Sequence, residues 1–182
     1  MPFNINEIRS ELQYGGARPT MFQVTITNPI EPIADIKIPF LCEAASIPPS
    51  TVAPINVAYF GRFIKIPGDR TFDPWNVNVL NDEDFAIRDA LEHWHNAINA
   101  LEQNIAQNGS PPNNYKSQAT VTQYGKDGQE LRIYQLEGLW PSLIGPIELN
   151  WGDQNVIERF TVTWEYDTYQ VVGGKTGDGG GN

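Results

Sequence analysis

The chain has 182 residues, enough for one domain with a substantial core, and no internal boundary divides it into two. Its formal net charge of −10 argues against a protein that holds nucleic acid through a basic surface, because lysine and arginine supply nonspecific affinity for phosphates. The single cysteine, Cys42, excludes an internal disulfide and is interpreted as a buried free thiol. No signal-peptide pattern opens the chain and no segment is long enough to span a membrane, so we expect folding in a cytoplasm.

The first 45 residues predict a short helix and two strands. Residues 5–12 carry apolar side chains at helical spacing and predict a short helix that needs a partner surface. Residues 22–26 alternate between apolar and polar side chains, which predicts a strand ending at Asn28-Pro29. Residues 36–45 predict another strand, and Pro39 places it at an edge or a bulge.

Residues 46–60, SIPPSTVAPINVAYF, contain three prolines, much apolar surface and little charge. One interpretation is a loop folded over its own core, and the other is an extended arm that docks on another subunit. Proline favours the arm because it keeps a chain extended and reduces the entropy lost on docking. Composition alone leaves the two interpretations equal. The candidate arm residues are Ile47, Pro48, Pro49, Val52, Pro54, Ile55, Val57, Tyr59 and Phe60.

Two strands are predicted in the stretch that follows. The first ends at Ile66, before a turn at Pro67-Gly68-Asp69, because proline fixes φ and glycine allows a positive φ. The second begins near Thr71 and alternates with the period of a half-buried antiparallel strand. Its predicted buried face consists of Trp75, Val77 and Val79, and its predicted exposed face of Asn76 and Asn78.

The strongest local signal predicts an amphipathic helix. Asn81 with Asp84 three residues later resembles a capping box, and the acidic residues 82–84 suit the positive end of the helix dipole. Apolar side chains then recur at spacings of four and three, which predicts one buried stripe that lies against a sheet. The residues of this core stripe are Ile87, Leu91, Trp94, Ile98 and Leu101.

The remainder predicts β structure. Strands are expected over residues 119–124, 130–136 and 147–151, and the glycines of residues 125–128 predict a hairpin turn between the first two. A last strand over residues 157–166 carries an apolar face opposite Thr161, Thr163 and Glu165. That apolar face consists of Phe160, Val162, Trp164 and Tyr166. We expect residues 1–172 to form one domain and residues 173–182 a glycine-rich tail.

No motif in the sequence indicates an enzyme, a metal site or a cofactor. The only two histidines, His93 and His95, are two apart on the predicted helix and point about 200 degrees apart, so they cannot chelate one metal. Helix capping explains the acidic residues 82–84, and no serine has the context of a nucleophile elbow. We therefore expect no catalytic, cofactor-binding or metal-binding residue.

Four tryptophans fall on or near predicted strands: Trp75, Trp140, Trp151 and Trp164. They could form a platform for stacking sugars on a carbohydrate-binding β-sandwich. Alternating strands more often bury such residues, so we favour a core role.

Several segments resemble the tail tube proteins of T4-like contractile-tailed bacteriophages. They are ARPTMFQVTI, FLCEAASIP, IPGDRTFDPWNVNVLNDED and EGLWPSLIGPIELNW, followed by the alternating final strand. Their order and spacing agree from about Ala17 to Tyr169. The chain departs from the family pattern in its glycine-rich end and in the connector after Ile105.

The resemblance implies a mainly β fold with one flanking α-helix, in which two antiparallel sheets form a sandwich or barrel. It also implies hexameric rings stacked into a tube, with a tail sheath outside, baseplate and tail terminator proteins at the ends, and phage DNA passing through without specific binding. It implies no membrane insertion, and it favours the arm interpretation of residues 46–60. A polar or acidic lumen would let DNA slide, whereas a basic one would hold it. The candidate lumen residues are Asn76, Asn78, Thr161, Thr163 and Glu165.

Two alternatives remain at this point. A tube protein of a related machine, such as an R-type pyocin, an extracellular injection particle or a type VI secretion system, would carry a protein payload or none. A carbohydrate-binding β-sandwich would be a soluble monomer with tryptophans open to solvent.

Overall fold

The computed structural model describes residues 8, 10–12, 15–106 and 111–177. Most of these residues lie in nine β-strands and two α-helices. In chain order the elements are β1 (Phe22–Ile26), α1 (Ile33–Leu41), β2 (Cys42–Ala45), β3 (Ser50–Tyr59), β4 (Arg62–Phe72), β5 (Trp75–Leu80), α2 (Ala86–Ile98), β6 (Ser117–Tyr124), β7 (Glu130–Ile144), β8 (Arg159–Glu165) and β9 (Thr168–Gly173).

Two antiparallel sheets share the long strand β7. Its first half pairs with β6 and β9, and β6 pairs in turn with β1. Its second half pairs with β8, which continues through β5 to β2. Gly138 lies where β7 passes from one sheet to the other and has a positive φ of 71°. The predicted mainly β fold with two antiparallel sheets is confirmed.

The core lies between the inner faces of the sheets and α2. The alternating strands β1, β5 and β8 bury every second side chain, as their sequence predicts. Trp94 of α2 contacts Trp164 of β8 with ring centroids 5.5 Å apart, so the helix lies against a sheet as predicted. Ile87, Leu91 and Trp94 are buried, whereas the prediction is wrong for Leu101, which lies beyond the helix and is 89% exposed.

Helix α2 begins at Ala86, so the predicted capping box is wrong. Phe85 precedes the helix in a left-handed conformation, with a φ of 52°, and makes no side-chain capping bond. Asn81 is buried, and its side-chain amide donates to the Glu158 carboxylate at 2.9 Å. The carboxylate of Asp84 accepts from the Ala86 amide at 3.1 Å and also binds the Lys37 ammonium. Asn81, which resembled a helix cap in the sequence, therefore bonds to Glu158 instead of to the helix.

The strand predicted over residues 36–45 is wrong in its first part. Residues 33–41 form α1, and only Cys42–Ala45 are extended. The Asn28 side chain accepts from the amides of Ile30 and Glu31, and the Asn28 amide donates to the Asp35 carboxylate at 2.6 Å. These polar contacts turn the chain at the start of α1, and the helix then continues through Pro39.

The region after β7 also differs from prediction. Residues 147–151 form no strand, because β7 extends to Ile144 and a loop follows it. Strand β9 was not predicted, although it pairs with β7. The hairpin turn at residues 125–128 is confirmed by the bond from the Gly128 amide to the Gly125 carbonyl. Part of the predicted N-terminal helix and the end of the glycine-rich tail lie outside the described residues.

Candidate assembly surface

Strands β3 and β4 form a hairpin that stands apart from the two sheets. They pair with each other from Ser50↔Phe72 to Tyr59↔Arg62. The turn lies at Phe60-Gly61, whose positive φ values of 44° and 77° are those of a tight hairpin turn. The interpretation of residues 46–60 as a loop folded over its own core is therefore wrong, and so is the turn predicted at residues 67–69. We call residues 50–72 the arm hairpin.

The Pro67-Gly68 pair that resembled a turn lies in a bulge. The pairing register shifts between Val52 and Pro54, directly opposite Pro67. A Cβ atom on Gly68 would lie 2.7 Å from the carbonyl oxygen of Ala53, so the glycine permits a close backbone approach. Pro67 and Gly68 therefore form part of a bulge within the long strand β4, not a turn between two strands.

The arm hairpin has an apolar face that no described part of the chain covers. The pairs Ile55↔Ile66 and Val57↔Ile64 place four aliphatic side chains side by side. Each of the four is between 43% and 56% exposed, and Phe60 at the tip is 91% exposed. An exposed apolar patch of this kind is typical of an interaction surface.

The base of the arm hairpin is anchored to the sheets. The Phe72 ring lies 5.8 Å from that of Tyr166 and 5.5 Å from that of Tyr169. The Trp75 indole donates to the Ser46 carbonyl at 2.8 Å. Burial raises the pKa of Tyr166 to about 12. Pro48 is buried within its own subunit, so its prediction as a docking residue is wrong.

The predicted lumen residues share one polar face of β5 and β8. The Thr163 hydroxyl donates to the Asn76 side-chain oxygen at 2.8 Å, and the Thr161 hydroxyl donates to that of Asn78 at 2.7 Å. Glu165 follows on the same face, which points away from α2 and the core. The structure thus brings all of these residues together as a hydrogen-bonded polar ladder.

The residues considered for catalysis or metal binding do not converge. His93 Nδ1 lies 2.7 Å from the Glu31 carboxylate, whereas His95 is exposed on the same helix. The described part of the chain contains no cluster of three or more histidine, cysteine, aspartate or glutamate residues that could hold a metal. Burial raises the pKa of the Cys42 thiol to about 11, which keeps it protonated near neutral pH.

The tryptophans do not form a common exposed platform. Trp75 and Trp164 are buried, Trp140 is half-buried, and Trp151 is fully exposed on a separate loop. Sequence reasoning missed the second strand of the arm hairpin as part of the assembly surface. Its signal is the β-rich apolar run of Phe63, Ile64 and Ile66, which predicts a strand but does not show that the strand pairs with residues 50–59. No helix among the described residues is long and apolar enough to cross a membrane.

The architecture is that of the subunits found in contractile injection machines. A chain in the sheath-tube complex of an extracellular contractile injection system, PVC, aligns with a TM-score of 0.55 and 16% identity, over 93% of this chain and 99% of that one. A chain in the baseplate of the anti-feeding prophage aligns with a TM-score of 0.62 and 10% identity, over 87% of this chain and 96% of that one. At these identities the likeness defines the fold.

The sequence comparisons identify the family. The family model described as phage tail tube protein matches residues 10–172. Tail tube protein gp19 of Enterobacteria phage T4 is 35% identical over 155 residues, which cover 85% of this chain and 91% of the relative. This chain belongs to the phage tail tube protein family. It is a structural, non-enzymatic component of a contractile-tailed virion, which confirms the resemblance and sets aside the carbohydrate-binding alternative.

Proposed function

We propose that this chain forms hexameric rings that stack into the inner tube of a contractile phage tail. The arm hairpin carries the proposal, because its aliphatic face is uncovered in the single chain and a neighbouring subunit can bury it. Covering such side chains releases about 25 cal/mol per Å² of apolar surface. Burying a few of them therefore contributes several kcal/mol per contact.

Ring closure also addresses the open edges of the two sheets. Strands β1 and β2 end the path of hydrogen-bonded strands, and each presents an unpaired edge within the described chain. Unpaired strand edges invite association with other strands. A closed ring of subunits can join such edges into a continuous wall, as closure does in a barrel.

In this proposal the polar ladder of β5 and β8 lines the lumen. Its amide and hydroxyl groups already satisfy one another in pairs, and its one ionisable residue, Glu165, is acidic. Arg159 is the one basic residue on this face of β8, and its guanidinium is paired with the Glu43 carboxylate at 2.8 Å, so the wall offers phosphates little counterion-releasing charge. DNA would therefore pass along it without being held.

The tail sheath, baseplate and tail terminator complete the proposed set of partners. The aligned solved structures include sheath-tube, baseplate and tube-cap assemblies, which supports a similar setting for this chain. The 35% identity to a phage protein favours a phage tail over a related injection particle.

Negative-stain electron microscopy of the purified protein tests the proposal. We expect rings with six-fold symmetry at low protein concentration and tubes at higher concentration. A protein that remains monomeric at every concentration, with native circular dichroism, would contradict it.

A further inference from the structure

The loop between β7 and β8 displays an unusual side chain. Trp151 has a relative exposure of 103%, the highest among the exposed large apolar residues of the described chain. Leu149 and Val156 on the same loop are 79% and 60% exposed. We call residues 148–157 the tryptophan loop. It also carries Glu148 and Asp153 and no lysine or arginine, so it is acidic as well as apolar.

The tip of the tryptophan loop is held in a turn by its own hydrogen bonds. The Gly152 amide donates to the Asn150 side-chain oxygen at 3.0 Å, and the Asp153 amide donates to the Asn150 carbonyl at 3.2 Å. The Asn150 side-chain amide also donates to the Asp153 carboxylate at 3.3 Å. A preformed turn presents Trp151 with little further entropy to lose on docking.

A groove of about 450 Å³ lies beside the turn between β6 and β7. Met21 and Leu131 contribute apolar surface to it. The charged residues that line it are Arg18, Lys126, Lys175 and Asp127. Three of the chain's 12 basic residues therefore meet at one groove of an otherwise acidic protein. We call it the basic groove, and its volume is in the range of pockets that hold small ligands and side chains.

The tryptophan loop and the basic groove lie at opposite ends of β7. The groove surrounds the start of β7, whereas the loop follows its end at Ile144. The strand has 15 residues and passes from one sheet to the other at Gly138, so its two ends belong to different sheets. The tryptophan loop and the basic groove are complementary in charge, and both have apolar surface. Because they lie at different ends of β7, we expect the loop of one copy to meet the groove of another copy. A contact between different patches on two copies is heterologous and can propagate without closing.

We propose that the tryptophan loop of one copy docks in the basic groove of a second copy and that this contact stacks one ring on the next. The inference rests on the proposed tube function and names the residues that make its axial contact. Trp151 enters the apolar part of the groove, and Asp153 and Glu148 face its lysines and arginine. Tryptophan and arginine are the residues that most often dominate the binding energy of protein interfaces.

The test measures the critical protein concentration for tube formation by sedimentation and electron microscopy. Trp151→Ala, Asp153→Lys and Lys126→Glu should each raise it about tenfold or more while rings still form. The double variant Asp153→Lys with Lys126→Glu restores opposite charges and should return the concentration to within about threefold of the wild type. Glu102→Lys is the matched control, since it makes the same charge change on another exposed segment and should have no effect.

Circular dichroism establishes that each variant is folded before it is scored. Tubes formed by the Trp151→Ala protein at the wild-type concentration would overturn the inference, as would failure of the folded double variant to recover. Loss of rings as well as tubes would assign the contact to the ring and overturn the axial role. Each of these results is compatible with the proposed tube function. A wild-type protein that forms neither rings nor tubes would instead contradict the proposed function itself.

Discussion

At the scale of single residues, Gly138 marks the point where one strand serves two sheets. Its φ is positive, and a Cβ atom there would lie 2.1 Å from a carboxylate oxygen of Asp167. That carboxylate accepts two hydrogen bonds of 2.7 Å from the Lys116 ammonium. Backbone conformation and close packing therefore both require glycine at this position.

Gly138→Ala is expected to lower the free energy of unfolding more than Gly128→Ala. Gly128 also has a positive φ, of 75°, but nothing lies within 4 Å of its added Cβ atom. The control should cost about 1 kcal/mol from backbone strain alone, and Gly138→Ala about 1 to 3 kcal/mol more from overpacking. Urea denaturation of subunits kept below the assembly concentration measures both, and equal losses would show that the contact with Asp167 is unimportant.

At the scale of elements, burial of one face decided which strands could be predicted from the sequence. Strands β1, β5 and β8 have a buried face, so apolar and polar residues alternate visibly along them. Helix α1 depends on polar contacts between Asn28, Asp35 and nearby amides, which no apolar pattern records. Its apolar residues were consequently assigned to a strand.

The arm hairpin was hidden for a different physical reason. Neither of its faces is buried in the single chain. Apolar and polar residues therefore need not alternate along it as they do along a half-buried strand. Pro54, Pro67 and Gly68 lie at a bulge and resemble turn residues. Composition could therefore mark residues 46–60 as unusual, but it could not predict their β structure or their partner strand. The polar face of β5 and β8 was easier to predict, because its residues alternate with a buried face, whereas its place in a lumen stays a proposal.

Val57→Asp should prevent assembly without unfolding the subunit. Val57 lies on the aliphatic face of the arm hairpin beside Ile64, where it is 43% exposed and so tolerates a charge in the free chain. In an assembled contact the carboxylate would be desolvated. We expect the critical concentration for assembly to rise about tenfold or more, measured by analytical ultracentrifugation.

Asn56→Asp is the control for this change. Asn56 pairs with Lys65 on the opposite face of the same hairpin, so the variant adds the same charge away from the aliphatic side chains. It should assemble like the wild type with an unchanged thermal midpoint. Equal loss of assembly in both variants would show that the aliphatic face is not the surface that docks.

At the scale of the whole molecule, the proposed tube makes the sign of the lumen charge decisive. Asn78→Lys combined with Thr161→Lys should leave rings and tubes intact but slow DNA release, because each lysine exchanges counterions with phosphates. The slowing should diminish as salt is raised. Release from triggered virions at two salt concentrations measures the effect.

Asn78→Gln with Thr161→Ser is the neutral control at the same positions. It keeps an amide opposite a hydroxyl and should release DNA at the wild-type rate. Normal release from the lysine variant at low salt would place these residues somewhere other than the lumen.

The unsupported arm hairpin has a consequence for when assembly begins. The arm hairpin is anchored only at its base, where Phe72 contacts Tyr166 and Tyr169, and an isolated two-stranded hairpin is at best marginally stable in water. Its final shape is therefore expected to be completed by the neighbour that receives it, which makes joining a growing end more favourable than pairing two free chains. For the proposed tube, we therefore expect polymerisation to have a nucleation barrier. We then expect subunits to accumulate without premature filaments, and each tube to begin where another component first offers a formed end.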